Sequence, residues 1–244
     1  MKEKGVTKIA LILLVLVCVF AIVACSDNVN TDGVVYVSYD TYAVVTGYIG
    51  TESDVKIAAF YKDLPVIRIE NKAFYDCTSL TSVTIPDSVK SIGEDAFYDC
   101  TSLTSVNITD IAAWCNISFG DFFVNPLYYA KNLYLNNNLV TALTIPDSVT
   151  SIGGRAFSNC RSLTSVTIPD SVTSIGDIAF YGCTALKTVY YKGTAADWVK
   201  ISIGNNNSYI TNTKRYYYSE SKPTGSGNYW HYVDGKPTVW PSDE

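Results

Sequence analysis

A single histidine, His231, serves 244 residues, and methionine also occurs only once. That scarcity removes most routes to histidine-based acid–base catalysis and most zinc sites with mixed ligands. Positive charge is thin and scattered, 18 Lys and Arg against 23 Asp and Glu, for a formal charge of −5. No basic stripe is available to neutralise phosphates, so nucleic acid is not an expected partner. No D-x-D-x-D-G calcium loop, G-x-S-x-G elbow or phosphate loop occurs. The longest apolar run, Ile9 to Ala24, is sixteen residues, short of the roughly 20 a spanning helix needs. The chain has instead a phrase that returns.

Before that phrase comes a leader. Lys2, Lys4 and Lys8 precede the apolar run, which closes in Ile22-Val23-Ala24-Cys25-Ser26, a pattern suited to a signal peptide over residues 1–24. The closing residues resemble the lipobox of bacterial lipoproteins. The resemblance implies that Cys25 is the first mature residue, bearing a thioether-linked diacylglycerol; the structural alternative is an uncleaved anchor. Either places the rest of the chain outside the cytoplasmic membrane. Loss of the leader leaves 15 basic and 22 acidic side chains, or −7. Residues 25–33 are polar and form a tether.

The phrase CTSLTSVTIPDSVKSIGEDAFYDC runs from Cys77 to Cys100 and returns as CRSLTSVTIPDSVTSIGDIAFYGC from Cys160 to Cys183. Cysteines and Ala-Phe pairs recur 23 residues apart, the mark of a solenoid whose coils bury their apolar sides against each other. Within a coil the alternation of Val83 and Ile85 with Ser82 and Thr84 predicts a half-buried strand. Pro86-Asp87-Ser88 predicts a turn, VKSI a second short extended piece, and EDAFYDC one helical or 3-10 turn that drives Phe97 inward. Residues 34–69 are strand-like and off-period, reading as an N-terminal β cap that grades into the first repeat over 70–220.

These residues carry a family resemblance. The pattern C-x-x-L-x-x-V-x-I-P-x-x-V-x-x-I-G-x-x-A-F-x-x-C resembles the BspA-like leucine-rich repeat family, from Ile57 to Tyr191 apart from one interruption. Membership implies a leucine-rich solenoid on a bacterial surface, with adhesion to host proteins or other cells for some members. The fold class expected is a β-rich leucine-rich-repeat solenoid, with a parallel sheet on one face, short helical or 3-10 turns on the other, and a C-terminal β-hairpin.

The interruption, residues 108–143, puts 37 residues beyond one period between Cys100 and Cys160. Its IAAWCNISFG matches AADWVKISIG at an offset of 84, Trp114 falling on Trp198 and Gly120 on Gly204. A second repeat type follows, whose AAWCNI or AADWVKI turn is expected to replace the Ala-Phe turn, with Thr109 or Asp110, and Thr194, as N-caps. Residues 221–244 begin as a linker and end in NYWHYVDGKPTVW, a hairpin around Asp234-Gly235 with Pro237 confining one strand to an edge.

Candidate sites compete with structural explanations. The repeated cysteines form either a ladder of buried thiols or the disulfides Cys77–Cys100 and Cys160–Cys183; parallel side-chain directions favour the ladder. Asp87, Asp147 and Asp170 are explained by turn chemistry, and no metal or other cofactor is implied. The outward strand positions form a hydroxyl-rich stripe: Ser82 and Thr84, Ser105 and Asn107, Ala142 and Thr144, Ser165 and Thr167, Thr188 and Tyr190. This is the candidate binding face, although Ser and Thr also simply suit exposed strands. Trp230, Tyr232 and Trp240 form a candidate aromatic platform for sugar, or else cover the open end of the core. The function expected is non-catalytic: a lipid-anchored surface protein that presents its sheet to a protein ligand on host or neighbouring cells. It touches membrane through the lipid anchor only. The alternative is a carbohydrate- or cell-wall-binding module using the hairpin and the insert.

Overall fold

Alternation along SVTI decides the first layer. In the computed structural model, which describes residues 32–120, 124–224 and 227–241, the strands β6 (Ser82–Ile85) and β8 (Ser105–Ile108) pair in parallel, Val83 beside Val106 and Ile85 beside Ile108. β14 (Ser165–Ile168) and β16 (Thr188–Tyr191) do the same. Period-two geometry sends Val83, Ile85, Val106 and Val189 into the core and leaves the hydroxyl residues outside. A second row comes from the SI dipeptides and their SF counterpart: β7 (Ser91–Ile92) pairs with β9 (Ser118–Phe119), β13 (Ser151–Ile152) with β15 (Ser174–Ile175), and β15 in turn with β17 (Ser202–Ile203). The result is a β-solenoid of about seven turns, mostly parallel strands with few short helices. The leader, Cys25 and most of the tether lie outside the described residues.

The Ala-Phe segment corrects an expectation. It forms no helical or 3-10 turn; it is a chain of tight turns with left-handed residues four apart, at Lys72 and Asp76, Asp95 and Asp99, Arg155 and Asn159, Ile178 and Gly182. The N–H groups of Lys72, Phe74 and Asp76 donate to the carbonyls of Glu94, Ala96 and Tyr98 in the next coil, at 3.0, 2.8 and 2.9 Å. Arg155, Phe157 and Asn159 repeat the pattern on Asp177, Ala179 and Tyr181. A helix would satisfy these donors within the segment; turns broken by left-handed residues point them along the solenoid and make a third bonded side. Phe74 stacks on Phe97 at 4.9 Å, and Phe157 on Phe180 at 5.3 Å.

The five described cysteines are free thiols. Cys100 Sγ donates to the Phe74 carbonyl and Cys183 Sγ to the Phe157 carbonyl, both at 3.1 Å. Each thiol is thus aimed at the preceding coil's backbone, which makes the ladder. Burial pushes the Cys100 and Cys115 thiols up to about 12 and Cys160 to about 11, and raises Cys183 as well.

The second repeat type also lands differently from its expected place. Helix α1 (Ile111–Cys115), capped by the Asp110 carboxylate on the Ala113 N–H at 2.6 Å, replaces the Pro-Asp-Ser turn before β9. Its counterpart α3 (Ala195–Trp198) carries a Thr194–Asp197 capping box and stands before β17. The Ala-Phe position is taken by two further helices, α2 (Leu127–Ala130) and α4 (Ser208–Thr211). The extra length is one whole coil, four residues in the lengthened turn, and ten in a hairpin. That hairpin joins β10 (Leu133–Leu135) to β11 (Asn138–Leu139) through Asn136 and Asn137, both left-handed. β10 pairs with β8, but the next strand, β12 (Ala142–Thr144), pairs only with β14. The first row is therefore two sheets.

At the start, β1 (Val34–Ser38) and β2 (Ala43–Tyr48) pair antiparallel, and β2 joins the second row through β5 (Leu64–Ile69). β3 (Asp54–Lys56) lies beside β6 in the first row. At the end, β18 (Lys214–Tyr218) extends the first row from β16, followed by the hairpin β19 (Tyr229–Val233) and β20 (Lys236–Val239). Asp234 and Gly235 both adopt the positive φ this turn requires, and β20, which holds Pro237, is the edge.

Candidate functional site

The outward stripe expected from the sequence is divided by the β10–β11 hairpin. One part sits on β6 and β8, where Ser82 lies beside Ser105 and Thr84 beside Asn107, and Asn107 Nδ2 donates to Ser82 Oγ at 3.4 Å. Tyr134 on β10 continues it. The other part runs across β12, β14 and β16: Ala142, Ser165 and Thr188 in one line, Thr144, Thr167 and Tyr190 in the next. Thr144 is exposed and Thr167, between Thr144 and Tyr190, is only 2% exposed. Thr167 is therefore withdrawn as a contact residue.

The second part does not end at Tyr190. Register carries the same outer face onto Tyr216 and Tyr218 of β18, then Trp230 and Tyr232 of β19. Tyr190 stacks on Tyr216 at 5.9 Å. Trp230 meets Tyr190 at 5.4 Å, Tyr218 at 5.2 Å and Tyr232 at 4.9 Å. Binding face and aromatic platform, expected as separate sites, share one surface here.

The platform itself needs correction. Trp230 is fully buried, yet it stands outside the solenoid core cluster, because three tyrosines enclose it on the outer side of the sheet. Its Nε1 donates to the Tyr191 carbonyl at 2.9 Å, so no ring face is left for a sugar. Trp240 lies on the other side of the hairpin, stacked on His231 at 3.6 Å with Nε1 donating to the Ser219 carbonyl at 2.9 Å. Alternation along β19 separates His231 from Trp230 and Tyr232. Tyr232 keeps its place, 39% exposed, beside Tyr218 at 38%.

Charge rims this surface. Lys192 binds the Asp147 carboxylate at 2.6 Å and stands 5.9 Å over the Tyr232 ring. Burial works against its charge, but Asp147 and Tyr232 outweigh that and raise its pKa. Lys214 stands 5.0 Å over Tyr216. Burial, reinforced by Tyr216, raises the Tyr190 pKa and keeps that hydroxyl neutral.

Lys192 and Lys214 were not named among the candidates, and the sequence left Tyr216 and Tyr218 undecided between end cap and site. The alternation of KRYYY could have placed the two tyrosines, but not the cations beside them. The sequence reading also passed over the buried Asn125, two residues before α2, and the buried Asn207, directly before α4. Asn125 donates to the Arg155 and Ala156 carbonyls; Asn207 donates to Gly176 and Gly204 and accepts from the Phe180 N–H. These amides lock one coil to the next; at the offset of 84 they do not fall on each other, so the sequence match gave no signal for them.

With this geometry in hand, the similarities are informative. The model of the BspA type leucine rich repeat region matches six copies, over residues 56–121 and 129–219, taking in the second repeat type as well as the first. A leucine rich cell surface protein from Faecalibacterium prausnitzii is 30% identical with a TM-score of 0.51, covering 84% of this chain. The chain spans 58% of that protein's length. A leucine-rich repeat protein from Bacteroides capillosus is 27% identical over 69% of this chain and all of its own, TM-score 0.34. The leucine rich repeat protein of T. pallidum is 23% identical, covering 72% of this chain and 85% of its own, TM-score 0.42. No curated protein matches. The chain belongs to the BspA-type leucine-rich repeat family.

Proposed function

We propose that this chain is a non-catalytic, surface-displayed scaffold, anchored by a lipid on Cys25, that binds a protein partner through the outer face of β14, β16, β18 and β19. The observation that carries this reading is a surface joining half-exposed tyrosines to hydroxyls and two lysines. Such amphipathic aromatics dominate protein contacts. Adhesion to host or neighbouring cells is the finer form of the proposal, supported by the family. The sole histidine is stacked against Trp240, which leaves acid–base chemistry without its usual agent at this face.

Binding of the mature protein to a panel of extracellular-matrix proteins, beside a glycan array, tests the reading. A protein ligand whose affinity falls about tenfold or more in Tyr232→Ala supports it. Capture of glycans with no protein ligand overturns it in favour of the carbohydrate reading, which the burial of Trp230 already weakens. Incorporation of radiolabelled palmitate in the wild type and not in Cys25→Ser tests the anchor.

A further inference from the structure

The N-terminal cap is apolar on two faces where the repeat coils are apolar on one. β1 sends Val34 and Tyr36 into the core and leaves Val35 and Val37 half-buried on the outside. On β2, Ala43 and Val45 join the core cluster, whereas Val44, opposite Val37, lies outside it and is nevertheless fully buried, so the exposed part of this face is its two ends. At one end of this outer face Tyr39 stacks on Tyr42 at 4.9 Å, and Tyr39 is 46% exposed. Phe60, on the strand β4 (Phe60–Tyr61) and paired with Pro65, is 64% exposed, while Tyr61 turns inward onto Tyr36. At the other end Tyr48 packs on Phe74, and the next residue, Ile49, is 63% exposed.

In the coils that follow, the corresponding second-row outer positions are Ser91, Ser118, Ser151, Ser174 and Ser202. The apolar face stops at Arg68, which lies between Val44 and Ser91. A sheet that reads as apolar on both sides needs cover on both. The chain itself indicates the cover. The Ile49 N–H donates to the Gly33 carbonyl at 3.0 Å, so the tether leaves beside this face. Nine residue steps separate Cys25 from Val34, a reach of roughly 30 Å when extended.

We propose that the outer face of the N-terminal cap lies on the bilayer that holds the Cys25 lipid, with Tyr39, Ile49 and Phe60 in the interfacial region. This rests on the lipid-anchor reading and goes beyond attachment by the anchor alone. Aromatic and aliphatic side chains favour the membrane–water interface. Charge does not drive the contact: Lys62 and Arg68 are accompanied by Asp63 and Glu70, and Arg68 is paired with Glu70. Docking the second-row side leaves the first-row face, on another side of the coil, open to a partner.

The test supplies the lipid chemically, so that the face is examined whatever the cell does to Cys25. The mature chain in a Cys77→Ser background, coupled at Cys25 to a maleimide lipid, is placed on phosphatidylcholine vesicles containing shallowly brominated chains. A tryptophan introduced by Phe60→Trp is expected to be quenched at least twofold more than one introduced by Thr84→Trp, and equally in 0.5 M salt. Equal quenching at the two positions overturns the proposal. So does hydrogen-exchange protection of residues 39–49 that depends on protein concentration and not on vesicles, which would assign the face to a second copy. Palmitate labelling of the native chain reports separately on the anchor.

Discussion

The two ends of the solenoid leave an open sheet in different ways. At the C-terminal end a fully buried tryptophan closes the outer face from above, held by Tyr190, Tyr218 and Tyr232, and β20 brings a proline to the edge. At the N-terminal end the middle of the outer face is covered, with Val44 fully buried and Val35 and Val37 half-buried, but Tyr39, Ile49 and Phe60 at its margins stay exposed. One end builds a second small core from its own side chains, and the other presents its apolar surface outward. An aromatic residue near a terminus is therefore not by itself a site. Its meaning depends on whether neighbouring coils supply the walls around it.

The strongest way to break this contrast is Trp230→Ala. Losing a fully buried indole costs about 3–5 kcal/mol, and because coils contact only neighbours the loss should remain near the end. Hydrogen exchange should rise over residues 214–239 and stay unchanged over 80–110. Destabilisation spread evenly along the chain would mean the outer cluster is not a separate unit. Asn207→Ala is expected to cost about 2–3 kcal/mol, since it strands the Phe180 N–H and the Gly176 carbonyl in a buried place. Urea unfolding of the variant measures it, and a loss under 0.5 kcal/mol would deny the amide its locking role.

A smaller effect is expected from Asp110→Ala, which removes the cap of α1 and costs about 1 kcal/mol; thermal unfolding reads it. Phe60→Ala, at the uncovered end, should change the stability of the chain free of membrane by less than about 0.5 kcal/mol. A loss comparable to that of Trp230→Ala would show that Phe60 is already packed. The smallest expected effect is none at all. Iodoacetamide at pH 8 should leave Cys100, Cys160 and Cys183 unmodified in the folded protein, because burial holds each thiol far above its ordinary pKa. Half-buried Cys77, raised to about 11, should react first, and all should react after unfolding without reductant.

Much of the architecture was legible because the repeat is written residue by residue. Val83, Ile85 and Phe97 were each assigned inward, and each is buried. The match of Trp114 to Trp198 was equally plain. What it meant was not, because α1 and α3 occupy a turn defined by bonds between coils. Gly153 donates to the Cys115 carbonyl and Gly204 to the Ile175 carbonyl, and those partners are 38 and 29 residues away. The Ala-Phe segment was misjudged for a related reason. Its local sequence suits a helical turn, but its donors are satisfied in the adjacent coil, which a local reading does not include. The candidate surface was partly legible: Tyr190 and Tyr232 were named, but as members of different sites.

The sequence by itself determined the period, through direct recurrence, and the side of each strand that faces the core, the Thr194 cap and the hairpin at Asp234-Gly235, since these last depend on residues within a few positions of one another. Only the tertiary structure decided that the first row divides at β11, that Trp230 is buried on the outside of a sheet, and that the N-terminal cap keeps Tyr39, Ile49 and Phe60 exposed. Those outcomes depend on which coil lies next to which. Burial is a property of neighbours in space, and the repeat phrase says how each coil is made without saying what finally stands beside it.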